Sequence, residues 1–204
     1  MERIVLIGLN HKTAPVEIRE KFAVVCVDTS GPLADLAQLQ PIKEAFYLST
    51  CNRMEVLFTT DTLDEGISAV VGLLADIYGK TGAALKPYLY THIDQDAVKH
   101  LFRVACSLDS MVVGEAQILG QIKDAYRQAT EVKTSGVILN RLLHKSFSVA
   151  KRVRSETRIG SSAVSISYAA VELAKKIFQE LGGRIALLIG AGEMAELAAE
   201  HLLS

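Results

Sequence analysis

The chain reads as an α+β protein. A sheet-and-helix N-terminal domain is followed by long connecting helices, then by the first βα unit of a truncated Rossmann-type α/β domain. Three observations predict this. Short β-rich apolar runs at residues 3–9, 45–48, 56–58 and 87–93 alternate with segments of helical period as far as Cys106. After Cys106 strand signals stop, and two long helical stretches follow, 116–131 and 137–156. Finally, the fully apolar run 185–189 enters Gly190-Ala191-Gly192-Glu193-Met194-Ala195 and another helical segment.

The elements follow in order. Residues 3–9 form a buried strand that ends at Gly8-Leu9-Asn10. Thr13 can cap a helix over 16–24, with Pro15 in its first turn, where no amide donor is needed. A short helix is expected over 33–39, after the punctuation at Gly31-Pro32. The runs 45–48 and 56–58 read as paired strands flanking Ser49-Thr50-Cys51-Asn52-Arg53. Asp64 caps a helix to Tyr78, with Ile67, Val70, Val71 and Leu74 on one face. Residues 87–93 read as a strand, and Asp94 as the cap of a helix carrying Val98, Leu101, Phe102 and Ala105. The expected sheet is mixed or antiparallel. In the stretch 116–131, Gln117, Gln121, Asp124 and Gln128 share a polar stripe beside an apolar one. Gly160-Ser161-Ser162 breaks the helix over 137–156 and caps a third over 163–181.

Bulk properties exclude several classes. With 204 residues there is room for one domain and part of a second. No apolar run approaches a membrane span, and residues 4–7 are too short an apolar stretch for a signal peptide. A cytoplasmic protein without membrane association is expected. Three cysteines, Cys26, Cys51 and Cys106, lack framework spacing and are too few for a Cys-rich zinc site, so free thiols and no metal are expected. A net charge of −1 gives no global field for nucleic acid, so any RNA contact needs a local basic patch.

The chemistry-bearing residues each have two readings. Cys51 is either a small core hydrophobe or, set among Ser49, Thr50, Asn52 and Arg53, a nucleophile whose neighbouring cation favours the thiolate. Cys26 and Cys106 sit among apolar neighbours and fit the structural reading. His100 is either a surface or capping residue of its helix or an acid, base or substrate-orienting group, and His11 is equally open. Arg141, Lys145, Lys151, Arg152, Arg154 and Arg158 form either a solvated helix face or a phosphate-binding stripe. In Gly190-Ala191-Gly192-Glu193-Met194-Ala195 the glycines permit a tight turn and close approach of a pyrophosphate to a helix N-terminus. The residue that would separate NAD from NADP lies beyond Ser204.

Several stretches together resemble one family, the glutamyl-tRNA reductases. They are 8–16 (Gly-Leu-Asn-His-Lys-Thr-Ala-Pro-Val), 48–55 (Leu-Ser-Thr-Cys-Asn-Arg-Met-Glu), the long run 107–121, then 160–165 and the 190–195 turn. The resemblance spans essentially the whole chain; 107–121 and the tetrad 50–53 are its specific parts. It implies NADPH-dependent reduction of glutamyl-tRNA(Glu) to glutamate-1-semialdehyde through a Cys51 thioester, the first step of tetrapyrrole synthesis by the C5 pathway. Thr50, Asn52, Arg53, Ser110, Glu115, Ala116, Gln117 and Gln121 match substrate-binding positions, and His100 matches a histidine implicated in activity. Arg53 is expected to clamp the glutamyl carboxylate and Glu115 to take the α-ammonium. Gly190, Ala191, Gly192, Glu193, Met194 and Ala195 match the cofactor-binding turn. The implied domains are a catalytic one over 1–158, including a helical part 109–158, and the start of the NADPH-binding domain over 159–204. Family members continue into a helical dimerisation domain absent here, and the downstream glutamate-1-semialdehyde aminomutase is a further partner to expect. Two rivals stand beside this reading: a thioester-forming reductase of a free acyl substrate, and a non-catalytic RNA- or partner-binding fragment.

Overall fold

A computed structural model of the chain describes residues 1–23, 29–157, 159, 166–190 and 192–203. Cys26, Arg158, the expected cap at Gly160-Ser161-Ser162, Ala191, and the side chains of Glu193 and Met194 lie outside the described part.

Four strands form one antiparallel sheet in the order β2-β3-β1-β4, with β1 at Arg3–Asn10, β2 at Glu44–Ser49, β3 at Arg53–Thr60 and β4 at Tyr90–Ile93. Every residue of β3 is buried, Arg53, Glu55, Thr59 and Thr60 included. That follows from its place inside the sheet with helices on both faces. On one face lie α1 (Val16–Ala23), α2 (Ser30–Gln38) and α3 (Leu63–Tyr78), where Gly66 of α3 packs on Thr60. On the other lie α5 (Gln95–Ala105), α6 (Gln117–Glu131) and α7 (Val137–Glu156), where His100 of α5 reaches Glu55. Between α3 and β4 comes α4 (Gly82–Leu85). The 20-residue α7 matches the expected span, and its first turn is capped by the Glu44 carboxylate on β2, which accepts from the amides of Ile138 and Leu139 at 3.0 and 2.7 Å.

Several local expectations are corrected. Thr13 does not cap α1: its hydroxyl accepts from the Asn10 amide, and the Pro15 carbonyl accepts the first helical bond, from Arg19. Asp64 lies in the first turn of α3 rather than at its cap, which is Thr62. The strand expected over 87–93 shrinks to Tyr90–Ile93, because α4 and a 3₁₀ turn at Lys86–Tyr88 occupy what precedes it. Asp94 makes no side-chain cap; its carboxylate instead binds Arg3 Nε at 2.7 Å and the Ile4 amide at 3.1 Å, pinning the start of β1. The apolar run at 185–189 is not a strand, and Ile185 and Ile189 stand almost fully exposed. A strand needs a neighbour to take its amides, and no described residue pairs with this one. Flanking it are α8 (Ile166–Phe178) and α9 (Glu193–Leu203).

One glycine ties the sheet to the site. Gly8 on β1 is in register with Glu55 on β3 and with Tyr90 on β4. A Cβ there would meet the Met54 carbonyl oxygen at 2.6 Å, Glu55 Cγ at 2.8 Å and Tyr90 Oη at 3.1 Å. The bare backbone lets Glu55 reach across β1 to Tyr90. Gly8→Ala should therefore destabilise the fold by about 2 kcal/mol or more, seen as a lower urea midpoint. An unchanged midpoint would mean that the sheet yields there at no cost.

Candidate active site

Cys51 sits at the tip of the β2–β3 hairpin and is exposed. The turn is held from its own residues outward. The Thr50 amide donates to the Arg53 carbonyl at 2.8 Å, and the Thr50 hydroxyl accepts from the amides of Asn52 and Arg53 at 3.2 and 3.1 Å. Neither Cys51 nor Asn52 takes the positive φ of the turns usual in two-residue hairpins. Arg19 of α1 braces it from outside, donating from Nη1 to the Cys51 carbonyl and to Asn52 Oδ1, both at 2.9 Å. A cation is thus fixed in the same turn as the sulfur.

Behind the turn lies a buried charge cluster. A single oxygen of Glu55, Oε1, accepts from Arg53 Nη1 at 2.6 Å and from Tyr90 Oη at 2.6 Å, and lies 2.7 Å from His100 Nε2. Arg53 Nη2 donates to the Asp109 carbonyl at 2.6 Å and to Asp109 Oδ2 at 3.2 Å. Asp109 in turn takes Lys12 Nζ at 2.5 Å and Asn10 Nδ2 at 3.2 Å. Burial would push the Glu55 carboxyl up, but the Arg53 charge, with His100 and Tyr90, holds it down at about 2. Burial likewise opposes Asp109, and Lys12 and Arg53 keep it below the usual carboxylate range. Burial and then the Glu55 charge raise the Tyr90 hydroxyl, so it stays a donor. His92 stacks on His100 with ring centres 4.6 Å apart, and burial and the His100 charge lower it.

The loop 107–116 closes the cluster and carries the next functional side chains. Ser107 takes φ +60°; its hydroxyl donates to the Glu115 carbonyl at 2.6 Å, and Arg154 of α7 donates to the same oxygen at 3.0 Å. A cleft of about 320 Å³ results, in which Cys51 meets Thr50, Asn52, Arg53, Ser110, Glu115, Gln117 and Gln121. These come from the hairpin, the loop and one face of α6. The Ser110 hydroxyl is buried. Ser167 and Ala170 of α8 and Ala198 of α9 complete the wall.

Two expected residues stand elsewhere. Ala116 is exposed at the N-cap of α6 and does not line the cleft. His100 does not line it either, and reaches it only through Glu55 and Arg53. Arg53 lines the cleft with its amino groups already engaged by Glu55 and Asp109, so a free bidentate clamp is not what the structure presents. The basic residues of α7 divide: Arg152 pairs with Glu156, Arg154 holds the loop, and Arg141, Lys145 and Lys151 are exposed. Sequence reasoning missed Arg19, Glu55, Tyr90 and Asp109. One signal was there for Glu55: it lies two positions from Arg53 on an otherwise apolar strand, which puts both charges on one buried face.

The Gly190–Ala195 turn suits a nucleotide in part. Gly190 has φ +113°, the Ala195 amide donates to the Gly192 carbonyl at 2.9 Å as α9 opens, and a Cβ at Gly190 or Gly192 would meet nothing within 4 Å. The backbone can approach a pyrophosphate there.

Comparison with known proteins agrees with this layout. The family model described as glutamyl-tRNA(Glu) reductase, N-terminal domain, matches residues 7–157, and that for shikimate / quinate 5-dehydrogenase matches residues 172–204. The glutamyl-tRNA reductase of Syntrophobacter fumaroxidans is 61% identical over 205 residues, covering 100% of this chain and 44% of its own. That of Geobacter metallireducens is 57% identical, covering 98% and 46%. Among solved structures, the glutamyl-tRNA reductase from Methanopyrus kandleri superposes with a TM-score of 0.70 at 34% identity, over 98% of this chain and 46% of that one. The chain spans about half the length of the relatives it matches.

The charge cluster makes a pH prediction. Glu55 has a folded-state pKa below its unfolded one, so its contribution to stability is complete above about pH 4.5 and is lost as pH falls towards 2. Unfolding free energies measured down this range should fall by on the order of 3 kcal/mol from this group alone. Glu55→Gln, less stable near neutral pH by about 3 kcal/mol or more because Arg53 is left buried without its partner, should show a flatter acid limb. Parallel acid limbs would contradict the assignment.

Proposed function

The chain belongs to the glutamyl-tRNA reductase family, and from that premise we propose that it binds glutamyl-tRNA and forms a thioester at Cys51. The whole enzyme would then reduce that thioester to glutamate-1-semialdehyde with NADPH. The observation that carries this reading is an exposed thiol at a braced hairpin tip, in a cleft that also gathers the polar side chains of the 107–116 loop and α6.

Cys51 Sγ attacks the ester carbonyl carbon. The sulfur–carbon bond forms, the carbon–oxygen bond to the ribose breaks, and the tRNA leaves with a proton on that oxygen. Arg19 supplies the fixed positive charge that favours a thiolate in this turn. Glu115 is the anion for the substrate α-ammonium, and the amides of Gln117 and Gln121, one helical turn apart, orient the acyl chain. Arg53 forms the floor of the cleft, held by Glu55 and Asp109, and takes substrate with the donors those two leave it. His100 is a positioning residue on this reading: it holds Glu55, which holds Arg53.

NADPH at the Gly190–Ala195 turn would supply the hydride for the second step, with the pyrophosphate at the start of α9. Ser167, Ala170 and Ala198 lie on that side of the acyl cleft, which supports approach of the cofactor from there.

Incubation of the chain with glutamyl-tRNA should add one glutamyl mass to the protein, mapped by peptide mass spectrometry to Cys51. Cys51→Ser should abolish the adduct. Thr50→Val, which removes the hydroxyl that shapes the turn, should slow its formation by about tenfold. An adduct at Cys106, or none anywhere, would remove the basis for the reading.

A further inference from the structure

An ester attacked at its acyl carbon has two arms, an acyl chain and an alcohol. Cys51 sits where two clefts meet. Thr50, Cys51 and Gln121 line both of them. The first is the cleft of Arg53, Ser110 and Glu115 already described. The second, about 430 Å³, adds Thr29 from the start of α2, Ser49 from β2, and Asp124 and Gln128 from α6.

The chemistry of the two differs. The first holds Arg53 and Glu115, one charge of each sign, as an amino-acid acyl group requires. Among the described residues the second is lined by no Lys or Arg, and its one charged side chain is Asp124. A carboxylate-bearing acyl chain would be repelled there and a phosphate would find no cation. What the second cleft offers is hydroxyls, amides and one carboxylate acceptor. Gln128 is already oriented: its Oε1 accepts from the Thr29 amide at 2.9 Å and from the Thr29 hydroxyl at 2.5 Å, which turns its amide nitrogen, a donor, away from Thr29. A donor amide beside an acceptor carboxylate on one face of α6 matches the mixed donor and acceptor edge of a purine and its ribose hydroxyls. The cofactor side of the molecule borders the first cleft, through α8 and α9, and not the second.

We infer that the second cleft is a nucleoside subsite, which seats the terminal nucleoside of the acyl-RNA ester while the acyl group occupies the first. The inference rests on thioester formation at Cys51. In that step the sulfur–acyl bond forms, the acyl–oxygen bond breaks, and the departing nucleoside hydroxyl remains in the second cleft. Thr29 and Gln128 then act on the alcohol half of the substrate alone.

The test compares two esters that share one acyl group: 2′(3′)-O-glutamyl-adenosine and glutamic acid α-ethyl ester, each followed by the rate at which Cys51 gains the glutamyl mass. Asp124→Ala and Gln128→Glu are the variants; the second keeps an acceptor for Thr29 and loses the amide donor. Each should slow acylation by the adenosine ester about tenfold and acylation by the ethyl ester by less than about twofold. The ethyl ester also reports on folding, since a collapsed cleft would slow both. Free adenosine should compete with the adenosine ester, and nicotinamide mononucleotide should not. Equal losses on both esters, no loss on either, or competition by nicotinamide mononucleotide in place of adenosine would overturn the subsite. If neither ester acylates Cys51 in the unmodified chain, thioester formation itself fails and the subsite falls with it, an outcome distinct from all of these.

Discussion

The structure depends on one buried carboxylate oxygen. Glu55 Oε1 holds Arg53, Tyr90 and His100 at 2.6 to 2.7 Å, which joins β3 to β4 across β1 and both to α5. A lone buried carboxylate would be costly. This one is matched by a guanidinium and two further hydrogen bonds, which lets the charge remain in the core. The same guanidinium then reaches Asp109 and sets the loop that carries Ser110 and Glu115. Gly8 is what makes the span geometrically possible.

From this frame the thiol gains position but not its immediate surroundings. The hairpin tip is shaped by Thr50 and braced by Arg19, both on the opposite side of the turn's backbone logic from the Glu55 cluster. The buried cluster is rigid because each charge in it has a partner, while the tip is a short exposed turn secured by a few directional bonds. That division suits a nucleophile that must meet a bulky substrate without the core moving. It also explains why two clefts open from the same sulfur: the tip projects between the loop 107–116 on one flank and α2 with α6 on the other.

Much of this was legible from residue order. Alternation and turn residues located the four strands of the sheet and the hairpin that presents Cys51. Helical period located α3, α5, α6 and the full length of α7. The polar stripe Gln117, Gln121, Asp124 and Gln128 on α6 proved to be cleft lining, because positions three and four apart share a face whatever the fold around them. Local errors fell where a side chain had an alternative partner. Thr13 and Asp94 look like caps, but Asn10 and Arg3 with Ile4 claim them. The strand before Tyr90 gave way to α4 and a 3₁₀ turn, since β-propensity without a pairing partner does not make a strand.

The sequence by itself determined which residue types stand at the hairpin tip, along the α6 stripe and at the glycine turn, because those depend on spacing within a few residues. Only the tertiary structure decided that Arg53 answers to Glu55 and Asp109, that His100 works from behind them, and that residues 185–189 stay unpaired. Those outcomes turn on groups 45 to 56 positions apart in the chain, or on the absence of a pairing strand among the described residues. The energy of a buried charge or an open strand edge is set by what packs against it, and neighbours in space are not neighbours in sequence.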